Sequence, residues 1–190
     1  FTDATIGYDT AVNTALDAID RIRDTAAAHE RFFIIEVMGR ASGHIANSVG
    51  VACGAEVIII PEIRRDLHEI AAKLERGKAR GKTSSIIIAA EGKKAGEVYT
   101  VAEQMSKRLG VDMRVVVLGH IQRGGSPTAR DRILATRMGA AAVHAAFEGR
   151  SGIMIGEKDG NIVEVPLSEV TRAKKKSDLE LYELAKILSI

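Results

Sequence analysis

The chain has 190 residues, 46% of them hydrophobic, enough for one core or for one domain plus a piece of another. Its 27 basic and 25 acidic side chains leave a formal charge of +2, too weak a field to draw in nucleic acid or anionic lipid. Aromatics make up 4% of the chain and tryptophan is absent, so stacking platforms for single strands are lacking, and neither nucleic acid nor a membrane is expected as a partner. Cys53, the one cysteine, sits among Val51, Ala52 and Ala55 and reads as a small core residue, which excludes an internal disulfide or a multi-cysteine metal site. No apolar run approaches the roughly 20 residues that span a bilayer, and no basic-then-apolar leader opens the chain, so a cytoplasmic location is expected. A start at Phe1-Thr2-Asp3 without an initiator methionine suggests that something upstream has been removed.

In chain order, Ala11, Ala15, Ala18, Ile19 and Ile22 recur at helical spacing and predict an amphipathic helix over 8–28. A strand follows at 33–37, then a helix of small residues over 42–53 and a strand at 57–60 stopped by Pro61. Helix 66–80, strand 85–90, helix 99–109 and strand 114–119 complete the alternation. Strands that are continuously apolar, separated by helices, predict a parallel sheet covered on both faces, a three-layer α/β/α arrangement. Beyond His120 the register changes. Ser126-Pro127 offers an N-cap and a first-turn proline to a helix ending near Phe147, with Gly149 as its stop. A hairpin over 152–165 turns at Lys158-Asp159-Gly160, a basic run follows from Arg172 to Lys176, and a last helix covers 178–188.

Three predicted strands hand polar groups to the loops at their carboxyl ends, where open α/β sheets bind ligands. Those loops hold Met38-Gly39-Arg40, Glu91-Gly92 and His120-Ile121-Gln122-Arg123-Gly124-Gly125. Two arginines, a histidine and a carboxylate there suit a phosphorylated polyol, since Gly124 and Gly125 let backbone approach an anion and His120 and Arg123 add charge-assisted bonds. The last loop reads equally as a tight strand-to-helix turn with a solvated arginine. Glu91 follows apolar residues, starts half-buried and needs a partner, either a sugar hydroxyl or a lysine such as Lys93. Arg31 and Arg114 stand at the amino ends of their strands, opposite this site. No Walker loop, Gly-x-Gly-x-x-Gly fingerprint or HExxH pair occurs.

Glu36-Val37-Met38-Gly39-Arg40, Pro61-Glu62 and Leu118-Gly119-His120-Ile121-Gln122-Arg123-Gly124-Gly125-Ser126-Pro127, followed by Asp131-Arg132-Ile133-Leu134-Ala135, resemble the second half of the bacterial 6-phosphofructokinase family. The likeness runs from about Thr5 to the C-terminus. It implies transfer of a phosphoryl group from ATP with Mg²⁺, or from pyrophosphate in some members, to the 1-hydroxyl of fructose 6-phosphate, in a cytoplasmic glycolytic homotetramer. By position, Met38, Gly39 and Glu91 resemble the residues that hold the sugar, and His120 and Arg123 those that hold its 6-phosphate. Arg31 and Arg114 fall where the family supplies arginines to a neighbouring subunit's phosphate, and Arg40 matches a catalytic arginine beside the transferred phosphoryl. Arg23, Gly54, Glu56, Arg80 and Lys82 match an effector pocket for ADP or phosphoenolpyruvate, with Arg80 replacing a lysine common in relatives. The nucleotide-binding motif and the aspartate base lie upstream of Phe1 in the family, so the isolated fragment is expected to be inactive. Residues 5–119 plus 171–190 are then expected to form the sugar-phosphate domain, and 120–170 to belong to an otherwise missing nucleotide-binding domain. The alternatives are a pyrophosphate-dependent enzyme and a non-catalytic sugar-phosphate-binding module.

Overall fold

Ala15 and Ile19, four residues apart and fully buried, set the inward stripe of the first helix, α1 (Tyr8–His29). The computed structural model describes residues 1–29, 31–92, 96–172 and 179–188, with backbone alone at 26–29. Lys93, the run from 173 to 176 and the first predicted residue of the last helix lie outside these. After α1 come β1 (Phe32–Val37), α2 (His44–Ala52), β2 (Val57–Ile59), α3 (Leu67–Ala79), β3 (Ser85–Ala90), α4 (Glu97–Leu109) and β4 (Met113–Val117). A 3-10 turn, Gly119–Gln122, leads on to α5 (Ala129–Phe147), β5 (Ile153–Lys158), β6 (Asn161–Pro166), α6 (Leu167–Val170) and α7 (Glu180–Leu188). The chain divides into two compact units, 1–11 with 124–176, and 12–123 with 177–190.

In the larger unit β2, β3, β1 and β4 lie side by side in that order, all parallel. Alternate strand residues go to opposite faces. Phe33, Ile35, Val37, Ile58, Ile60, Ile86 and Ile88 pack with Ala15 and Ile19 of α1, Ala46 and Val49 of α2 and Ala185 of α7. Phe32, Ile34, Val57, Ile59, Ile87 and Ala89 pack with α3 and α4 through Ala71, Leu74, Val98, Val101 and Met105. This is the expected three-layer α/β/α sheet. The strand at 114–119 begins one residue earlier and ends two earlier than predicted, and as an edge strand it buries only Met113 fully. Asp66 caps α3 by accepting the N–H groups of His68 and Glu69, which holds its carboxyl below the usual range.

In the smaller unit α5 lies with the hairpin β5–β6, whose two-residue turn has positive φ at both Asp159 (50°) and Gly160 (77°), as a type I′ turn requires. The N-cap of α5 is Thr128 rather than Ser126: its hydroxyl accepts the Asp131 N–H at 3.3 Å, and Pro127 stands just before the cap. Asp131, 4% exposed, accepts the Thr10 N–H at 2.8 Å and the Thr10 hydroxyl. Burial pushes this carboxyl up, but the bonds from Thr10 and from the Gly7 amide outweigh it and hold the pKa below the ordinary aspartate value. A depressed folded pKa stabilises above the unfolded value near 3.9 and the gain is lost as pH falls through the folded one. Asp131→Asn is therefore expected to cost about 1–3 kcal/mol at pH 7, with the difference from wild type closing below about pH 4 in urea unfolding of the full chain. The same helix leaves Ile133, Val143 and Phe147 in solvent, Phe147 at 87% exposure.

Candidate active site

β1 and β3 are neighbours, and the helices that follow them leave to opposite faces of the sheet, α2 with the α1 layer and α4 with the α3 layer. A crevice at such a switch point, beyond the carboxyl ends, is where doubly wound sheets bind ligands. The loop after β1 supplies Met38, Gly39 and Arg40 to it, and the loop after β3 supplies Glu91. The Arg40 N–H donates to Glu91 Oε2 at 3.2 Å, and the Glu91 N–H donates to the Val37 carbonyl at 2.8 Å, so the two strand ends are stitched together. Arg40 has φ 51°, a left-handed conformation uncommon outside glycine. Gly39 admits no side chain, because a Cβ there would lie 2.3 Å from the Ser42 carbonyl oxygen. Contrary to expectation Glu91 is exposed rather than half-buried, and it accepts a backbone amide on Oε2.

Two further side chains, neither assigned from sequence, grip the same β1–α2 turn. Gln122 accepts the Met38 N–H on Oε1 at 2.8 Å, and Glu62, beyond β2, accepts the Gly43 N–H on both oxygens at 2.8 and 3.1 Å. Gly43 is the N-cap of α2 and lacks a capping side chain of its own, so Glu62 caps the helix from a neighbouring loop. The loops after β2, β3 and β4 thus each give one acceptor to the backbone of the loop after β1. His120 and Arg123 flank Gln122 and are exposed. Among the described residues, the side chains of Arg40, His120 and Arg123 are not committed to any hydrogen bond or ion pair.

Glu36 lies one residue before the end of β1. Burial, then the charges of Glu91 and Glu97, raise its pKa above the ordinary glutamate value. A carboxyl with a raised folded pKa favours folding below its unfolded pKa, and that advantage is lost as pH rises through the folded value. Glu36→Gln is therefore expected to leave stability unchanged near pH 4 and to raise it progressively toward pH 7, as followed by thermal unfolding across that range.

Arg31 and Arg114 are at the other end of the sheet. Arg31 immediately precedes β1, and Arg114, the second residue of β4, is in register with Phe33 and ion-paired to Asp112 at 2.7 Å in the open. The sheet therefore separates them from Arg40 and Glu91. At the same amino end, Glu56 accepts the Ile86 N–H at 2.7 Å and the Lys82 ammonium at 3.4 Å. Glu56, Arg80 and Lys82 line a cleft of about 270 Å³ together with Lys73, Arg76 and Lys186, three cations that sequence reasoning did not single out. Burial, then Arg76, pulls the Lys73 pKa down. Arg23 donates to the Cys53 carbonyl beside Gly54, which has φ 64°, and burial pushes the Cys53 thiol up. The five residues assigned to an effector pocket thus share one corner of the unit.

The parallel sheet, with its switch point between β1 and β3, defines a doubly wound α/β protein with a candidate site at the carboxyl ends of those strands. The phosphofructokinase family model matches residues 1–146, and the chain belongs to that family. It is 54% identical over 189 residues to an ATP-dependent 6-phosphofructokinase of Thermus thermophilus and 53% identical to one of Brevibacillus brevis, covering all of this chain and 59% of each relative. The chain thus spans about three-fifths of the length of these relatives. Among solved structures, the phosphofructokinase of Saccharomyces cerevisiae superimposes with a TM-score of 0.83 at 35% identity, over 98% of this chain and 25% of that one. A pyrophosphate-dependent phosphofructokinase from Marinobacter aquaeolei matches with a TM-score of 0.78 at 26% identity, over 94% and 51%.

Proposed function

We propose that this chain is the larger part of an ATP-dependent 6-phosphofructokinase and carries most of its sugar-phosphate site. The observation that carries the reading is the meeting of Met38, Gly39, Arg40 and Glu91 at the switch point, with Arg40, His120 and Arg123 holding uncommitted donors. A dianionic phosphate asks for such donors, and a sugar hydroxyl for the remaining capacity of Glu91. In the reaction the 1-hydroxyl of fructose 6-phosphate loses its proton to a base, a bond forms from that oxygen to the γ-phosphorus, and the bond to the β-phosphate oxygen breaks to release ADP. The base in this reading is upstream of Phe1. The chain's own residues bind and orient the sugar phosphate, and Arg40 offsets the charge that develops on the moving phosphoryl. Mg²⁺ in this reading accompanies the ATP phosphates.

In the same reading residues 120–170 complete the nucleotide-binding domain. The solvent-facing Ile133, Val143 and Phe147 of α5 support this, because an apolar helix face calls for a covering partner. The cationic amino-end corner takes ADP or phosphoenolpyruvate as effector, and Arg31 and Arg114 serve the site of an adjacent subunit in a homotetramer. Among the described residues no helix is long and apolar enough to cross a membrane. In this reading the enzyme works in glycolysis, in the cytoplasm. Pyrophosphate is the competing donor, favoured by the Marinobacter structure though at half the identity of the ATP-dependent relatives. Assay of the full-length protein with fructose 6-phosphate and each donor tests the assignment: turnover with ATP is expected, and turnover with pyrophosphate alone would replace it.

A further inference from the structure

We propose that Gln122 is a positioning residue that locks the sugar-holding turn at Met38-Gly39 to the phosphate-holding turn at His120 and Arg123. The inference rests on the proposed function of this site and adds a residue to it. Within the turn Gly119–Gln122 the burial pattern is inverted: Ile121 is 60% exposed, while the amide side chain of Gln122 is 3% exposed. Apolar burial alone would turn the isoleucine inward. What orients the turn instead is a directed bond, from the Met38 N–H to Gln122 Oε1 at 2.8 Å. Without it a backbone donor at the end of the central strand loses its acceptor, which is costly for a partly buried amide.

The placement makes this bond a coupling. Gln122 stands between the two groups read as phosphate ligands, and the Arg123 N–H closes the turn on the His120 carbonyl at 3.0 Å. The Leu118 N–H, just before the turn, bonds the Glu36 carbonyl at 3.0 Å, so the turn is tied to β1 at its entry by backbone and at its exit by the Gln122 side chain. Fixing Gln122 therefore fixes where His120 and Arg123 stand relative to Met38 and Gly39. One ligand spans both turns, since the sugar ring and its 6-phosphate are parts of one molecule, and a rigid spacing between them avoids ordering costs on binding.

The test uses full-length enzyme with fructose 6-phosphate and ATP. Gln122→Met keeps the size and removes the acceptor, and Gln122→Asn keeps an amide one methylene too short to reach Met38. Both are expected to raise the KM for fructose 6-phosphate by about tenfold with a smaller change in kcat, whereas Gln122→Glu, which retains the acceptor, stays within about threefold of wild type. Because Gln122 acts by placing Arg123, the pair Gln122→Met with Arg123→Ala is expected to be little worse than Arg123→Ala alone. Wild-type KM in both Gln122→Met and Gln122→Asn, or full additivity with Arg123→Ala, would overturn the inference and leave the functional assignment standing. A wild-type enzyme that does not turn over fructose 6-phosphate would overturn the functional assignment, and the inference with it.

Discussion

Arg40→Ala is expected to lower the maximal rate of the full-length enzyme by about two to three decades, with both substrates saturating. A preorganised donor aimed at developing charge is typically worth that much. The residue is held where a flexible arginine would not otherwise stay: its backbone is in the left-handed region and its N–H is fastened to Glu91 Oε2. Such local strain persists where surrounding contacts over-determine it, and at functional sites it contributes to preorganisation. The side chain is exposed and uncommitted among the described residues, so its charge is available to a ligand. If it acts chiefly in the transition state, kcat and kcat/KM fall together, and the KM for fructose 6-phosphate moves little. Single-turnover measurements separate chemistry from release, and an unchanged rate of the chemical step would remove Arg40 from the catalytic group.

The second large effect is expected from mixed assemblies. Arg31 stands a whole six-residue strand, at about 3.3 Å per residue, from the carboxyl-end loops, and Arg114 most of a five-residue one, so the two are not expected to share a phosphate with Arg123 within one subunit. Subunits carrying Arg31→Ala plus Arg114→Ala and subunits carrying Arg123→Ala should each lose at least one to two decades of fructose 6-phosphate affinity as pure assemblies, from about 1.5–3 kcal/mol per charge-assisted contact. Co-assembled, they form some sites with Arg123 from one subunit and both other arginines from the next, and these regain wild-type affinity. The exposed Arg114–Asp112 pair at the amino end offers little resistance to that exchange of partners, since solvated ion pairs are weak. Well-formed mixed tetramers with no gain over either parent would return both arginines to the role of solvated strand flanks.

The sheet was legible because β1 and β3 lie inside it: five of six residues in each are fully buried, and covered strands are written as unbroken apolar runs. β4 was harder to bound, because its apolar run continues through Leu118 into the next turn while Met113 is set off from that run by Arg114. The α5 cap was misplaced by two residues since Ser126 and Thr128 are locally equivalent beside Pro127. The choice is made by Asp131 and Thr10, 121 residues apart. In the candidate site, Arg40, Glu91, His120 and Arg123 stood out because charged groups at strand ends are conspicuous. Gln122 and Glu62 did not, because each bonds a backbone N–H, and an amide has no letter in the sequence to mark it as a target. Lys73, Arg76 and Lys186 escaped for another reason: on their own helices they look like solvated charges, and only the approach of α3 to α7 brings them to one cleft.

The turn after β1 is fastened through its amides rather than its side chains, with Gln122 on Met38, Glu91 on Arg40 and Glu62 on Gly43. Every residue except proline carries such an amide, so the clamp is blind to what projects from positions 38 and 40. A protein engineer could therefore diversify those two positions as a cassette, favouring asparagine or glycine at 40 where the backbone is left-handed, and sample new ligand chemistries on a frame that keeps its shape. Gly39 and Gly43 are the fixed rivets of that cassette, because an added Cβ would meet the Ser42 carbonyl in one case and Ile60 in the other.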